Sequence, residues 1–233
     1  MKGLGHVDTW VFDLDNTLYP ASCRLFDQID VKMGEFVSRL LNVEFAEAKK
    51  YQKQLFYKYG TTLRGLMTEH GIEPDAFLDY VHDIDHSPVP PNRGLDEALH
   101  ALPGRKLIFT NGTVAHAEKV MARIGITHHF GDIFDIVHSG FIPKPEMEPY
   151  RKFVAATGIN PRTSAMFEDI ARNLEVPHAL GMTTVLVVSP GNHDAMHLNA
   201  DVAGNGEHIH HVTGDLAAFL SGAVSARNAA DGG

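Results

Sequence analysis

The 233-residue chain contains one cysteine, one tryptophan and no long apolar run. Because Cys23 is the only cysteine, no disulfide can form within the chain, and an oxidising compartment gains no support. The most apolar stretch, residues 185–188 with their flanks, is far shorter than the roughly 20 residues that span a bilayer. Residues 1–9 hold no apolar segment typical of a signal peptide. We therefore expect a cytoplasmic protein that does not bind membranes.

Positive charge is also scarce. The chain has 20 Lys and Arg residues and 29 Asp and Glu residues, which gives a net charge of -9 and a pI near 5.9. This balance argues against nucleic-acid polymers as partners. The hydrophobic content of 44% is ample for a buried core. An anionic small molecule remains a possible ligand, provided that the fold builds a local positive site.

The pattern along the chain predicts an α/β fold with a doubly wound, Rossmann-like parallel sheet. The apolar residues 10–12 are typical of a buried strand that ends in acidic residues. After residue 91, short apolar strands alternate with helical patterns. The predicted strands are 106–109, 133–137, 164–167 and 183–188, and the helices between them are 115–124, 147–156 and 171–180. Ligands of such sheets bind beyond the carboxyl ends of the strands.

A helical block interrupts this alternation. Apolar residues recur at helical spacing in 26–41, and further helical patterns cover 45–57, 62–70 and 77–81. The proline-rich segment 87–94 ends the block. We therefore assign residues 1–18 and 91–222 to the core domain and residues 19–90 to an inserted helical cap. Residues 223–233, which are small and polar, are expected to be disordered.

Chemically active side chains follow the predicted strands. If the strands are parallel neighbours, these side chains meet at one edge of the sheet. They are Asp13 and Asp15 after the first strand, Thr110 and Asn111 after the second, Lys144 between two prolines, and Glu168 and Asp169 after the fourth.

This convergence is electrostatically reasonable only when a cation is present. Two like unit charges about 4 Å apart repel by about 4 kcal/mol at an effective dielectric constant of about 20. A phosphate ester that approaches Asp13 would meet such repulsion. A divalent ion held by Asp13 and Asp169 offsets most of it, and Lys144 offsets more. An all-oxygen ligand set favours Mg²⁺.

The set of motifs resembles the haloacid dehalogenase (HAD) superfamily. Asp-x-Asp-x-Thr at residues 13–17, then Thr110-Asn111, Lys144 and Glu168-Asp169 occur in that order. The insertion between Thr17 and Thr110 resembles the first (C1) cap type of the superfamily. More narrowly, segments 12–20 and 59–66 are similar to the pyrimidine 5′-nucleotidase branch.

The resemblance implies a catalytic role for each core residue. Asp13 would attack phosphorus and form an aspartyl-phosphate. Asp15 would protonate the leaving alkoxide and then accept a proton from the attacking water. Thr110 and the Asn111 amide would hold phosphoryl oxygens, and Lys144 would stabilise the nucleophile and the developing charge.

The resemblance also implies the metal ligands. Asp13 and Asp169 would bind Mg²⁺ directly, and Glu168 would bind it directly or through water. Asp15 would contribute its backbone carbonyl and point its carboxyl away from the ion. In the cap, we expect Thr61 and Arg64 to contact the substrate.

Simpler interpretations exist for each motif taken alone. Asp-x-Asp-x-Thr is typical of turns and helix caps, Lys144 could be an exposed loop lysine, and Glu168 could cap the following helix. The basic and aromatic segment 49–64 could have lysines on a solvated face and aromatics on a core face. The histidine pairs and clusters, His193 with His197 and His208 with His210 and His211, are interpreted as surface or packing residues.

Hydrolysis of a small phosphomonoester is the function that these patterns favour, with a pyrimidine nucleoside monophosphate as the expected substrate. Within the superfamily, a dehalogenase lacks the acid that Asp15 supplies. A sugar-phosphate phosphatase or a phosphomutase remains as an alternative. A phospho-accepting receiver domain is the non-enzymatic alternative, but the long insertion after residue 17 disfavours it. The sequence gives no indication of the oligomeric state.

Overall fold

The computed structural model describes residues 4–188 and 206–231. Its core is a six-stranded sheet with the order β3-β2-β1-β4-β5-β6, and every neighbouring pair of strands is parallel. The strands are β1 (Thr9–Phe12), β2 (Arg105–Phe109), β3 (Asp132–Phe134), β4 (Ser164–Glu168), β5 (Thr183–Val187) and β6 (His211–Thr213). The prediction of a doubly wound parallel sheet is confirmed.

Strand β1 lies at the centre of the sheet because both of its faces are apolar. Trp10 and Phe12 belong to the hydrophobic cluster on one face, and Val11 belongs to the cluster on the other. Phe12 stacks on Phe167 of β4, with ring centroids 4.7 Å apart. A parallel strand covered on both faces has a continuous apolar sequence, and Asp13 therefore follows a buried strand at the centre of the sheet.

Nine α-helices surround or extend this sheet within the described residues. Four form the insertion after β1, namely α1 (Leu25–Leu41), α2 (Phe45–Tyr59), α3 (Thr62–His70) and α4 (Pro74–Val81). Five accompany the core, namely α5 (Arg93–Ala101), α6 (Val114–Ile124), α7 (Met147–Thr157), α8 (Glu175–Ala179) and α9 (Leu216–Asp231). None of the described helices is long and apolar enough to cross a bilayer.

The insertion has its own hydrophobic core. Buried residues from α1 to α4, such as Leu55, Leu66 and Phe77, form one cluster, and Ile136 of the core domain joins it. The caps of α3 explain where this helix begins and ends. Thr61 accepts a hydrogen bond from the Arg64 amide at the start, and Gly71 adopts the left-handed conformation at the end.

Three core elements differ from the sequence prediction. Strand β3 ends at Phe134 rather than residue 137, because the next residue, Asp135, accepts hydrogen bonds from the Val114 and His138 amides and begins a turn. The helix predicted for 171–180 is a 3₁₀ turn at Ala171–Leu174 followed by α8. Helix α5, which the sequence analysis did not predict, begins at the Asn92 cap.

The prediction of disorder from residue 223 onward is wrong as far as residue 231. Helix α9 continues through Asp231, and Leu216, Leu220 and Ala223 are buried. Their helical spacing lets α9 pack on the core beside α5. The small residues that suggested disorder are mostly alanines, and alanine is the best helix former.

Gly104 offers a test of the packing before β2. Its φ is +95°, and a Cβ at this position would lie 2.1 Å from the Asp8 carbonyl oxygen. Gly125 has a similar φ of +91° but nothing within 4 Å. We predict that Gly104→Ala lowers the free energy of unfolding by about 3 kcal/mol, and that Gly125→Ala costs only the left-handed backbone strain of about 1 kcal/mol. Equal losses in urea unfolding would contradict the described contact.

Candidate active site

Three neighbouring strands end at the same edge of the sheet. Asp13 follows β1, Thr110 follows β2, and Glu168 is the last residue of β4 with Asp169 next to it. Asp13 is tied to its neighbour by a hydrogen bond from its amide to the Phe167 carbonyl, 2.9 Å long. The structure therefore brings together the acidic residues that the sequence places far apart.

Lys144 lies at the centre of this edge and is 2% exposed. Its Nζ donates to Asp13 Oδ1 at 2.8 Å, to Glu168 Oε1 at 2.7 Å and to the Phe109 carbonyl at 3.0 Å. An ammonium group has three protons, and these three bonds use all of them. Lys144 is thus a buried bridge between two carboxylates and not an exposed loop lysine.

The Asn111 side chain fixes the loop that carries Lys144. Its Oδ1 accepts from the Lys144 amide at 2.9 Å, and its Nδ2 donates to the Lys144 carbonyl at 3.5 Å. Thr110 is also buried, and its Oγ1 accepts from the Gly112 amide at 2.9 Å. Both residues line the cavity described below. Their contacts with phosphoryl oxygens stay a prediction.

The charges of this cluster shift its pKa values. Burial is the largest effect on Asp13 and Glu168 adds to it, so the pKa of Asp13 is raised to about 7 despite the opposing influence of Lys144. Burial by itself would lower the pKa of Lys144, but Asp13 and Glu168 outweigh it and raise that pKa above its usual value. Lys144 is therefore charged at neutral pH, and ionised Asp13 needs more positive charge than Lys144 supplies.

The acidic cluster has the composition of a divalent-cation site. Asp13, Glu168 and Asp169 are buried, and each can offer a carboxylate oxygen within 4.8 Å of the others. Other contacts hold Glu168 in place, because its Oε1 accepts from Asn173 at 2.7 Å and its Oε2 accepts from the Ile170 amide at 2.8 Å. Three carboxylates and one ammonium leave excess negative charge, and hard oxygen ligands suit Mg²⁺. The residues therefore fit such an ion.

Asp15 is held apart from this cluster. Its Oδ1 lies 2.5 Å from the Tyr19 hydroxyl and 2.9 Å from His116 Nε2. Burial acts to raise the pKa of Asp15, but His116 and Tyr19 together outweigh burial, and that pKa is lowered. Two carboxylates two positions apart in the sequence thus occupy different environments, with the pKa of Asp13 raised and that of Asp15 lowered.

A cavity of about 270 Å³ lies between the sheet edge and the insertion. Its core side includes Asp13, Asp15 and Lys144. Its cap side is mainly apolar and aromatic, with Phe26, Ile29, Met33, Phe56, Tyr57, Phe77, Leu78 and Val81. The volume is near the lower end of small-molecule pockets, which measure about 300–1,000 Å³, so the cavity suits a small molecule rather than a polymer.

The two cap residues selected from the sequence lie in different places. Thr61 lines the cavity, although its Oγ1 already caps α3. Arg64 is not among the residues that line the cavity; its Nη1 lies 3.8 Å from the Glu146 carboxylate. A substrate contact for either residue stays a prediction.

Sequence reasoning missed four residues that the structure places at the cavity or behind it. Gln52 and Arg172 line the cavity, and each has a buried side-chain atom without a hydrogen-bond partner, Oε1 and Nε respectively. Tyr19 and His116 contact Asp15. Tyr19 lies within segment 12–20, four positions from Asp15, so a contact between these two residues could have been predicted. The other three give no signal in a single sequence.

The other histidine clusters have packing contacts. His210 Nδ1 lies 2.8 Å from Thr184 Oγ1, and His208 Nε2 lies 3.1 Å from the Ala171 carbonyl. His193 and His197 lie outside the described residues. A further cluster joins Asp96 with His128 and His129, where both imidazoles approach the same carboxylate oxygen.

Comparison with known proteins identifies the family. The model of the haloacid dehalogenase-like hydrolases matches residues 7–181, which is most of the chain. The chain belongs to this family of hydrolases.

Individual relatives are more distant. Phosphate metabolism protein 8 of Saccharomyces cerevisiae is 27% identical over 193 residues, which are 75% of this chain and 60% of that protein. The chain thus spans about three fifths of the length of this relative.

Two solved structures share the fold over nearly their whole length. The magnesium-bound HAD-hydrolase YfnB from Bacillus subtilis has a TM-score of 0.57 at 16% identity, covering 95% of this chain and 99% of that one. A HAD family hydrolase from Deinococcus radiodurans with bound phosphate and sodium has a TM-score of 0.54 at 19% identity, covering 96% and 97%.

Replacing the buried lysine tests the balance of charges at the site. Lys144→Met would leave Asp13 and Glu168 buried without their counter-charge, so we predict a loss of about 3–5 kcal/mol in the free energy of unfolding without Mg²⁺. Lys152 is a matched control, because its side chain is 40% exposed and its partner Glu148 lies 3.2 Å away at the surface. Lys152→Met should cost less than about 1 kcal/mol. Similar losses in urea unfolding would contradict the bridging role.

Proposed function

We propose that this protein is a Mg²⁺-dependent phosphomonoester hydrolase that acts through an aspartyl-phosphate on Asp13. The observation that carries the proposal is the separation of two carboxylates. Asp13 is bound to Lys144 inside the acidic cluster, and Asp15 is turned away to Tyr19 and His116. This separation supports Asp13 as the nucleophile and Asp15 as the acid and base.

The contacts of Asp13 suit a nucleophile. Lys144 donates to its Oδ1, and the Thr17 hydroxyl donates to its Oδ2 at 3.0 Å. An Asp13 oxygen forms a bond to phosphorus as the bond from phosphorus to the ester oxygen breaks, and Asp15 donates a proton to that oxygen. Water then attacks phosphorus, Asp15 accepts its proton, and the bond to Asp13 breaks. The products are an alcohol and inorganic phosphate, and both carboxyl groups regain their initial states.

Asp13, Asp169 and Glu168 are the residues that would hold Mg²⁺, together with the Asp15 carbonyl that the family resemblance implies. An ion held there would supply positive charge that offsets the negative charge of the phosphoryl group and favours ionised Asp13. The distant neighbours agree with this assignment, since one binds magnesium and another binds phosphate.

Asp15 also favours a phosphatase over a dehalogenase. Displacing a halide from carbon leaves no alkoxide to protonate, so a dehalogenase needs no acid at this position. Membership of a hydrolase family likewise disfavours the receiver-domain alternative. The name of the yeast relative, a phosphate metabolism protein, points in the same direction.

A pyrimidine nucleoside monophosphate is the substrate that we propose. Phe56 and Tyr57 of the basic and aromatic segment line the cavity and can stack on a planar base. Gln52 is 5% exposed, and its Nε2 donates to Asp30 at 2.7 Å while its Oε1 has no partner. A buried acceptor in an apolar cavity wall favours a ligand that donates a hydrogen bond, as the N–H groups of uracil and cytosine do.

Phosphate release from a panel of esters, with and without Mg²⁺, tests the whole proposal. We expect Mg²⁺-dependent release that is fastest with UMP or CMP, and loss of turnover by at least about 1,000-fold in Asp13→Asn because the nucleophile is removed. Full turnover by Asp13→Asn would overturn the proposed chemistry. Equal rates with purine, pyrimidine and sugar phosphates would overturn only the nucleotide specificity, and conversion of a sugar bisphosphate to its isomer would instead indicate a mutase.

Metal binding can be followed without activity. At 100 times its dissociation constant, a bound ion stabilises the folded state by about 2.7 kcal/mol. We predict that saturating Mg²⁺ raises the melting temperature of the wild type by about 5 °C and leaves that of Asp169→Asn unchanged. Asp132→Asn is the control, because Asp132 is an exposed residue at the start of β3 and should keep the full shift. A shift retained by Asp169→Asn would contradict the assigned ligands.

The unpaired Gln52 acceptor gives a test of base recognition. One hydrogen bond contributes about 1 kcal/mol, so we predict that Gln52→Leu raises the KM for UMP about 5-fold and leaves that for phenyl phosphate unchanged, since phenyl phosphate lacks an N–H group. Gln54→Leu is the matched control on the exposed side of α2. A wild-type enzyme that accepts N3-methylated UMP as well as UMP, with no effect of Gln52→Leu, would show that Gln52 does not bind the base.

A further inference from the structure

Three imidazoles lie in contact behind Asp15. His116, on α6, is 1% exposed, and its Nε2 lies 2.9 Å from Asp15 Oδ1. Its Nδ1 lies 3.3 Å from His86 Nε2. The ring of His82 stacks on that of His116 with centroids 4.7 Å apart. The proposed chemistry uses none of these side chains, although one of them contacts the proposed acid directly.

The contacts of His116 favour one tautomer of its ring. The proposed acid carries its transferable proton on Oδ2, which leaves Oδ1 as an acceptor, and we therefore assign His116 Nε2–H as a donor to Oδ1. In this tautomer of His116 the other nitrogen, Nδ1, is an acceptor, and we assign His86 Nε2–H as its donor. Burial lowers the pKa of His82 to about 4, with His116 as the second cause, so a neutral ring covers the face of His116. With this assignment, both hydrogen bonds run in the same direction, from His86 to His116 and from His116 to Asp15.

This series of hydrogen bonds ends on one particular oxygen of Asp15. Tyr19 and His116 both contact Oδ1. Oδ2 lies near Gly112, where an added Cβ would be 3.8 Å from Oδ2 and 3.3 Å from Thr110 Oγ1. Gly112 and Thr110 both line the cavity. Fixing Oδ1 therefore presents Oδ2 to the side where a substrate would lie.

We propose that His116 is a positioning residue that orients Asp15, so that Oδ2 transfers the proton to the leaving group, and that His86 sets the required tautomer of His116. This inference rests on the proposed phosphatase activity and adds residues to it that touch no substrate. His116 would act on Asp15 in the way that a third group orients the catalytic base in other enzymes.

The three histidines come from different parts of the fold. His82 directly follows α4, the last helix of the insertion, and His86 lies between that helix and α5. His116 belongs to the core domain. The contacts thus connect the segment that leaves the cap with the proposed acid, and the correct orientation of Asp15 depends on this segment being in place.

Two esters with different leaving groups separate positioning of an acid from a general structural role. The alkoxide of UMP needs a proton as it leaves, whereas p-nitrophenolate leaves without one. The measured quantity is kcat/KM, because it reports the steps up to formation of the aspartyl-phosphate. General acid catalysis contributes about 10²–10⁴-fold, so we expect His116→Leu to lower kcat/KM about 100-fold for UMP and less than about 3-fold for p-nitrophenyl phosphate.

Conservative substitutions complete the test. His116→Gln retains a donor that can reach Asp15 and should recover most of the UMP activity, and His86→Leu should lower that activity less than His116→Leu does. His100→Leu, at an exposed histidine of α5, is the control with unchanged kinetics. In the wild type, ¹⁵N NMR should show His116 with its proton on Nε2.

Several results would overturn the inference. Equal losses on both esters in His116→Leu would show a structural role alone, and unchanged kinetics with both esters would show that His116 has no role in the reaction. A proton on Nδ1 of His116 would contradict the assigned direction of the hydrogen bonds from His86 to Asp15. A wild-type protein that hydrolyses neither ester would overturn the proposed function itself, and is distinguished from these results by its lack of activity before any substitution.

Discussion

The burial of one ammonium group between two carboxylates is the interaction on which the site depends. Lys144 donates to Asp13, to Glu168 and to the end of β2, so it connects three strand ends and the loop that carries it. A buried charge of this kind is tolerated only when its partners satisfy it. The position of Asp13, the excess negative charge that a divalent cation would offset, and the loop anchored by Asn111 follow from this one arrangement.

The core of the fold and the strand-end residues could be predicted from the sequence because they obey local rules. Apolar strands alternating with helices imply a parallel sheet, and the ends of neighbouring parallel strands must meet, so Asp13, Thr110 and Glu168 come together. The end of the chain could not be predicted in the same way. The alanines of α9 are compatible with a helix, but the burial of Leu220 and Ala223 against the core is what favours the helix over a disordered tail, and this packing is a tertiary effect that composition does not reveal.

The cap residues at the site also depend on tertiary packing that the sequence does not reveal. The aromatic residues of segment 49–64 fall into two groups in the structure. Phe56 and Tyr57 line the cavity, whereas Tyr51 and Tyr59 donate to Glu69 outside it. Side chains of one helix point in different directions, and only the packing of the insertion on the core decides which of them face the cavity. For the same reason His116, 101 positions from Asp15 in the sequence, could not be recognised as its neighbour.

The most direct test of the account is chemical identification of the phosphorylated residue. The enzyme is quenched in acid during turnover of UMP with Mg²⁺, reduced with borohydride, which converts an acyl phosphate to an alcohol, and digested for peptide mass spectrometry. We predict homoserine in place of Asp13 and an unmodified Asp15. Homoserine at another aspartate, or no reduction while phosphate is released, would contradict a mechanism in which Asp13 is the nucleophile.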